Sequence, residues 1–275
     1  MTRSRKSAVL CGAAALAWGA LVMVGCGGQK EAAPAGGEAA APAAPAAPAA
    51  AGPTGTATVA GKVTYDGAVP KLPPVSMSAD PTCAAKHTSA VANPVLELGA
   101  NKELGNVFVY VKSGLPDNAT WAPPTTAAAI DQNGCMYVPH VVGVMVGQPL
   151  DFINSDGILH NVHALPKVNQ EFNVAMPGEV KKSPDHTFDQ AEGMFLVKCD
   201  VHPWMNAYVG VIKHPFFAVT GADGSFTIKN LPAGKYTIAA WQEKMGEQTQ
   251  DVTVADNGTA TANFTFTRPA AAPGT

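Results

Sequence analysis

The sequence predicts an all-β protein assembled from β-sandwiches, and three observations carry that expectation. Charged residues make up 14% of the 275 residues while Gly and Pro together number 50, a composition that favours strands and turns over long helices. Short runs of strand formers alternate with turn dipeptides along most of the chain. There is no heptad pattern or long amphipathic stripe, and no basic cluster follows the first six residues, which argues against nucleic acid as a partner.

The chain opens with M-T-R-S-R-K, then a 17-residue apolar run from Ala8 to Val24, then Gly25-Cys26. A basic start, a short apolar run and a small residue before a cysteine are the parts of an export signal, and the run is short for a membrane span. The stretch resembles a bacterial lipobox, with Met23 in the place usual for Leu. That resemblance implies cleavage of residues 1–25 and acylation of Cys26, hence a lipid anchor to the cell envelope with the body facing the periplasm or the exterior. Gly27, in place of the Asp that favours inner-membrane retention, points to the outer membrane. Cleavage removes Arg3, Arg5 and Lys6 and leaves 15 basic against 21 acidic residues, a balance that disfavours anionic surfaces. Residues 26–56 repeat A-A-P, cannot bury a core, and favour extended polyproline II at about 3 Å per residue, the composition of a tether.

Strand-like runs follow in order: A-T-V-A-G-K-V-T-Y before Asp66-Gly67, N-V-F-V-Y-V-K before Ser113-Gly114, V-V-G-V-M-V before Gly147, L-D-F-I-N, M-F-L-V-K, A-Y-V-G-V-I-K, S-F-T-I, Y-T-I-A-A-W and A-N-F-T-F. Residues 164–188 have room for two strands plus loops. Asp223-Gly224 stands between alternating runs, a hairpin signal.

The segment Phe217 to Trp241, with D-G-S-F, L-P-A-G and Y-T-I in succession, resembles the transthyretin-like, carboxypeptidase-regulatory-like β-sandwich. The opening strand of that family, V-x-G-x-V followed by D-G, is similar to Val59–Gly67 instead. The resemblance implies a sandwich drawn from both ends of the chain, with residues 57–123 pairing with 214–268, residues 124–213 inserted between them and 269–275 left as a tail. Such modules act as spacers or interaction surfaces.

The inserted segment carries the chemistry. K-C-D-V-H-P-W-M places Cys199, His202 and Met205 three residues apart, and Pro203 disfavours helix at His202, so the stretch is a loop between two strands. Thiolate, imidazole and thioether, completed by a second His, are the donors of a type 1 copper site. The second His comes from H-N-V-H: His160 and His163 face opposite ways on a strand, so only one can join. Read singly, Cys, His and Met are often core residues, and a C-x-x-H also suits zinc. His140 and Met145, on a predicted strand, read as structural; His87, His186 and His214 have no partners nearby in sequence.

The run from V-G-Q-P-L-D-F-I-N through H-N-V-H to G-M-F-L-V-K-C-D-V-H-P-W-M, about Thr126 to Lys213, resembles the short-loop cupredoxins, the amicyanin and plastocyanin-like group. That resemblance implies a Greek-key cupredoxin sandwich with His160, Cys199, His202 and an axial Met205 holding one copper ion. It also implies that Asn161 hydrogen-bonds to the residue after the cysteine, here Asp200, where Thr or Ser is usual. With Cys11 in the signal, Cys26 lipidated and Cys199 a ligand, an exported protein leaves Cys83 and Cys135 as a disulfide candidate, the alternative being that all three remaining cysteines are unbridged.

The function expected is one-electron transfer, not enzymatic chemistry, between redox partners such as an envelope cytochrome or oxidoreductase, which would dock on an apolar rim around His202 formed by Pro203, Trp204 and Leu159. The alternatives are a non-redox copper-binding lipoprotein for storage, delivery or sensing, and a structural or interaction module without metal.

Overall fold

The computed structural model describes residues 52–267; the expected signal, the expected lipidation at Cys26, most of the expected tether and the tail lie outside the described residues. Among the described residues the protein is all-β but for one helical turn and one 3-10 turn. In chain order the elements are β1 (Ala57–Asp66), α1 (Pro81–Ala84), β2 (Phe108–Ser113), β3 (Ala128–Gln132), β4 (Tyr137–Val138), β5 (Val141–Met145), β6 (Leu150–Asn154) and β7 (His160–Leu165). They continue with β8 (Phe172–Met176), β9 (Glu192–Lys198), β10 (Asn206–Ile212), β11 (Phe217–Val219), β12 (Ser225–Leu231), β13 (Gly234–Gln242), β14 (Gly246–Val254), β15 (Thr259–Thr261) and β16 (Phe264–Thr267). Among the described residues no helix is long and apolar enough to cross a membrane.

Two pairs of sheets enclose two cores. In the first pair, β1 lies between β12 and the parallel strands β15 and β16, while the facing sheet runs β11-β2-β13-β14. Strands from both ends of the chain therefore share sheets. Alternation sets the faces: Val59 and Val63 of β1 point inward and meet Phe226, Ile228, Ile238, Phe264 and Phe266. In the second pair, β5-β10-β9-β7-β8 packs over β4-β3-β6 around Ile130, Phe152, Val162, Phe195, Val197 and Val209. A third cluster, Phe108, Val141 and Ile212 with Tyr208, Phe217 and Trp241 packed against it, joins the two halves.

Two expectations need correction. Asp223-Gly224 does not close a hairpin: β11 belongs to one sheet and β12 to the other, so the turn carries the chain across the sandwich. Gly224, at φ +68°, is held to β1 by a 2.8 Å bond from Val63 N–H to its carbonyl, and a Cβ there would stand 2.4 Å from Val63 O. Residues 164–188 hold one complete strand, β8, and only isolated bridges where the second was expected, Ile153–Lys182 and Leu150–His186. Pro184, which lacks a backbone donor, lies between the two bridging residues Lys182 and His186.

The segment 57–123 also divides. Its strands β1 and β2 build the first pair of sheets, whereas Met77 and Cys83, with Val75 and Val91 beside them, pack into the core of the second. This strap, which includes α1, crosses the end of the second pair of sheets where the candidate ligands lie.

Candidate metal centre

The loop between β9 and β10 is closed at its base by bonds from Cys199 N–H to Met205 O (3.1 Å) and from Met205 N–H to His202 O (2.9 Å). These bonds turn Cys199, His202 and Met205 into the core, where they are 1%, 2% and 0% exposed. His160 enters from the start of β7 and is fully buried. Its Nδ1 stands 2.9 Å from Nδ1 of His202, and Cys199 Sγ is 3.8 Å from that same His202 nitrogen. One donor atom each from His160, Cys199 and His202 lie within 4.8 Å of one another.

Strand parity separates the two histidines of H-N-V-H. His163 is on the outer face of β7, its Nδ1 2.8 Å from Asp200 Oδ2 and its Nε2 3.0 Å from Glu171 Oε1. The structure thus brings three predicted ligands together, places Met205 fully buried on the same loop, and leaves His163 outside.

Electrostatics favour an anionic sulfur. Burial pushes the Cys199 thiol up, but hydrogen bonds from His160 and from the backbone at Asn161 and His202 outweigh it and bring it down to about 7. Burial pushes His160 down, and Asp156 and Cys199 more than compensate, holding the imidazole above its ordinary range. A thiolate, two imidazole nitrogens and a buried thioether form a soft donor set that fits copper.

The surroundings fix the candidate ligands. Asn161 Oδ1 accepts the Asp200 N–H at 2.6 Å, tying β7 to the ligand loop. Asp200 is further held by Lys198, Asn173 and His163, which keep its carboxyl well below the usual range. Tyr137 brings its hydroxyl to 2.5 Å from Asn161 O and 3.2 Å from Lys198 O. Cys83 and Cys135 are disulfide-bonded, and Cys199 is the free cysteine among the described residues.

Sequence reasoning missed the carboxylates behind both imidazoles. His160 Nε2 is 3.0 Å from Asp156 Oδ2, and Asp156 also accepts from Gly134 N–H, Cys135 N–H and Lys86. Burial pushes the Asp156 carboxyl up, and these bonds, His160 first, outweigh it and hold it at about 2. His202 Nε2 is 3.1 Å from Asp80 Oδ2 and 3.6 Å from Cys83 Sγ. Asp156 had a signal, four residues before His160 in a turn; Asp80 had none. The outer edge of His202, expected to open onto an apolar rim, is instead covered by the strap. Around it Leu159 and Val201 are 50% and 44% exposed and Pro203 is exposed, while Trp204 is partly buried and donates Nε1–H to Cys135 O.

The other histidines have structural surroundings. His140 meets Glu243 at 2.7 Å, His87 meets Gly134 O at 2.7 Å, His186 stacks on Phe172 and His214 donates to Val111 O. Met145 is core.

Residues 202–267 match the family model described as a carboxypeptidase regulatory-like domain, starting upstream of the expected boundary at 214. No curated protein matches the chain. Solved structures similar to it include a purple cupredoxin from Nitrosopumilus maritimus, 22% identical, covering 30% of this chain and 98% of that one with a TM-score of 0.26. Amicyanin from Paracoccus versutus is 23% identical, covering 38% of this chain and 96% of that one at 0.27. A copper-containing nitrite reductase from Thermus scotoductus is 19% identical, covering 37% of this chain and 26% of that one at 0.28. The chain is thus similar to carboxypeptidase regulatory-like domains over residues 202–267 and, over about a third of its length, to solved cupredoxins.

Proposed function

We propose that His160, Cys199, His202 and Met205 hold one copper ion in a type 1 site, and that the protein carries single electrons at a bacterial cell envelope, anchored by lipid on Cys26. The observation that carries this reading is the convergence of both Nδ1 atoms and the Cys199 sulfur at one enclosed point. Bound there, copper supplies the one-electron Cu(II)/Cu(I) couple. The protein's own groups hold the donors still and dry: the Asn161–Asp200 bond fixes the loop, and the core keeps water from the sulfur. Enclosed donors suit electron tunnelling, and on that ground the reading is of a carrier.

The docking partner is an envelope cytochrome or another oxidoreductase, meeting the apolar rim of Leu159, Val201 and Pro203 beside Trp204. The test is voltammetry of the copper-loaded full-length protein together with stopped-flow mixing with a c-type cytochrome. A reversible one-electron wave and rapid exchange, slowed by Trp204→Ala, support the carrier. Copper bound without reversible electron exchange would assign the site to storage or delivery.

A further inference from the structure

The two imidazoles at the centre are treated alike on their outer sides. Each turns Nδ1 inward, and each places Nε2 against a carboxylate, Asp156 for His160 and Asp80 for His202. A carboxylate oxygen only accepts, so each Nε2 carries a hydrogen, and Nδ1 is the ring nitrogen that would present its lone pair to a bound ion. Asp156 comes from the turn just before β7. Asp80 comes from the strap, 122 residues from His202.

The strap is built to hold Asp80 in place. Oδ1 of Asp80 caps α1, accepting from Thr82 N–H at 2.8 Å and Cys83 N–H at 3.3 Å, which leaves Oδ2 aimed at His202. Three further ties pin the same turn to the rim: the Cys83–Cys135 disulfide, Lys86 on Asp156 at 3.1 Å, and His87 Nε2 on Gly134 O. Both histidine supports therefore converge on the strap, one directly and one through Lys86.

We propose that the strap is a working part of the metal centre and that Asp80 is a positioning residue for His202, holding its hydrogen on Nε2 and placing a negative charge behind the ligand. This rests on the copper reading above. The charge favours the more positive metal state, so Asp80 lowers the reduction potential, and the bond keeps the ring from rotating away.

Two variants of the full-length protein separate this role from helix capping. Asp80→Ser keeps an N-cap but ends too short to reach His202; Asp80→Asn keeps the cap through its single amide oxygen and turns its NH2, a donor, toward His202 Nε2, removing both the charge and the acceptor. In Asp80→Ser, Cu(II) affinity falls about tenfold to a hundredfold. A tenfold loss of Cu(II) binding with Cu(I) binding unchanged reads as a rise of about 59 mV in the potential. In Asp80→Asn, with the cap intact, the affinity also falls and the potential also rises. In copper-free samples, imidazole nitrogen NMR finds His202 protonated on Nε2 in the native protein, and loss of that single tautomer in both Asp80→Ser and Asp80→Asn. A native tautomer, affinity and potential in Asp80→Ser would overturn the proposal. If the native protein binds no copper, the function proposed above fails, and the NMR comparison still decides the role of Asp80.

Discussion

Asp80 and His202, far apart in sequence, meet at 3.1 Å on the outer side of the candidate metal centre. The contact joins the N-terminal segment, whose strands belong to the first pair of sheets, to the ligand loop of the second. It closes the histidine edge that an unobstructed rim would leave open to solvent.

The disulfide beside that contact is expected to stabilise the strap more than the donors. Replacing both Cys83 and Cys135 by Ala should lower unfolding free energy by about 2–5 kcal/mol and speed amide exchange across residues 80–87. The Cu(II) absorption should persist, since neither sulfur is a donor; its loss would show that the staple holds the ligands themselves.

Asn161 ties two ligand-bearing elements through the 2.6 Å bond from Asp200 N–H. Asn161→Ala should weaken copper binding by about tenfold to a hundredfold with little change in thermal stability of the copper-free protein. A competition titration with a copper chelator reads the effect.

His140 and Glu243 form a buried pair that links the end of β4 to the β13–β14 turn. His140 Nδ1 donates to Asn206 O and Nε2 faces Glu243. Burial raises the Glu243 carboxyl, and His140 and Lys244 outweigh it, leaving it below the ordinary range. A depressed carboxyl contributes stability that is complete above its unfolded value and lost as pH falls through the folded one. Glu243→Gln should therefore cost about 3–5 kcal/mol near neutrality, and the gap to the native protein should narrow below about pH 4. Urea unfolding at neutral and acid pH measures both; a gap independent of pH would contradict the ion pair.

Gly143 and Gly210 stand opposite each other on β5 and β10 and make room for the ring of Phe108, which enters from β2. A Cβ on Gly143 would lie 2.4 Å from that ring and 2.6 Å from the ring of Phe217. Gly143→Ala should destabilise the protein by about 1–3 kcal/mol through overpacking, read from the urea midpoint, and leave copper absorption unchanged.

The convergence of the candidate ligands is legible in the sequence because the loop from Cys199 to Met205 is short, interrupted by Pro203 and flanked by apolar strands, and because alternation on β7 separates His160 from His163. The strands of the sandwich are legible for the same reason: local alternation and turn residues mark them. Their partners are less so. Asp223-Gly224 has the residues of a hairpin, but Val63 of β1, from the other end of the chain, claims the Gly224 carbonyl. Asp80 and Lys86 are invisible to periodicity because a single helical turn and a loop carry them, and their meaning exists only once the strap lies across the rim. Glu243 likewise gains its role from a histidine 103 residues away.

The most direct test of the copper site is the visible absorption of the full-length protein after addition of one equivalent of Cu(II). An intense thiolate-to-copper band, absent in Cys199→Ala and in His160→Ala but retained in His163→Ala, is the result predicted by the geometry of these side chains. Cu(II) or Zn(II) binding without such a band, or a band that survives loss of Cys199, would contradict it.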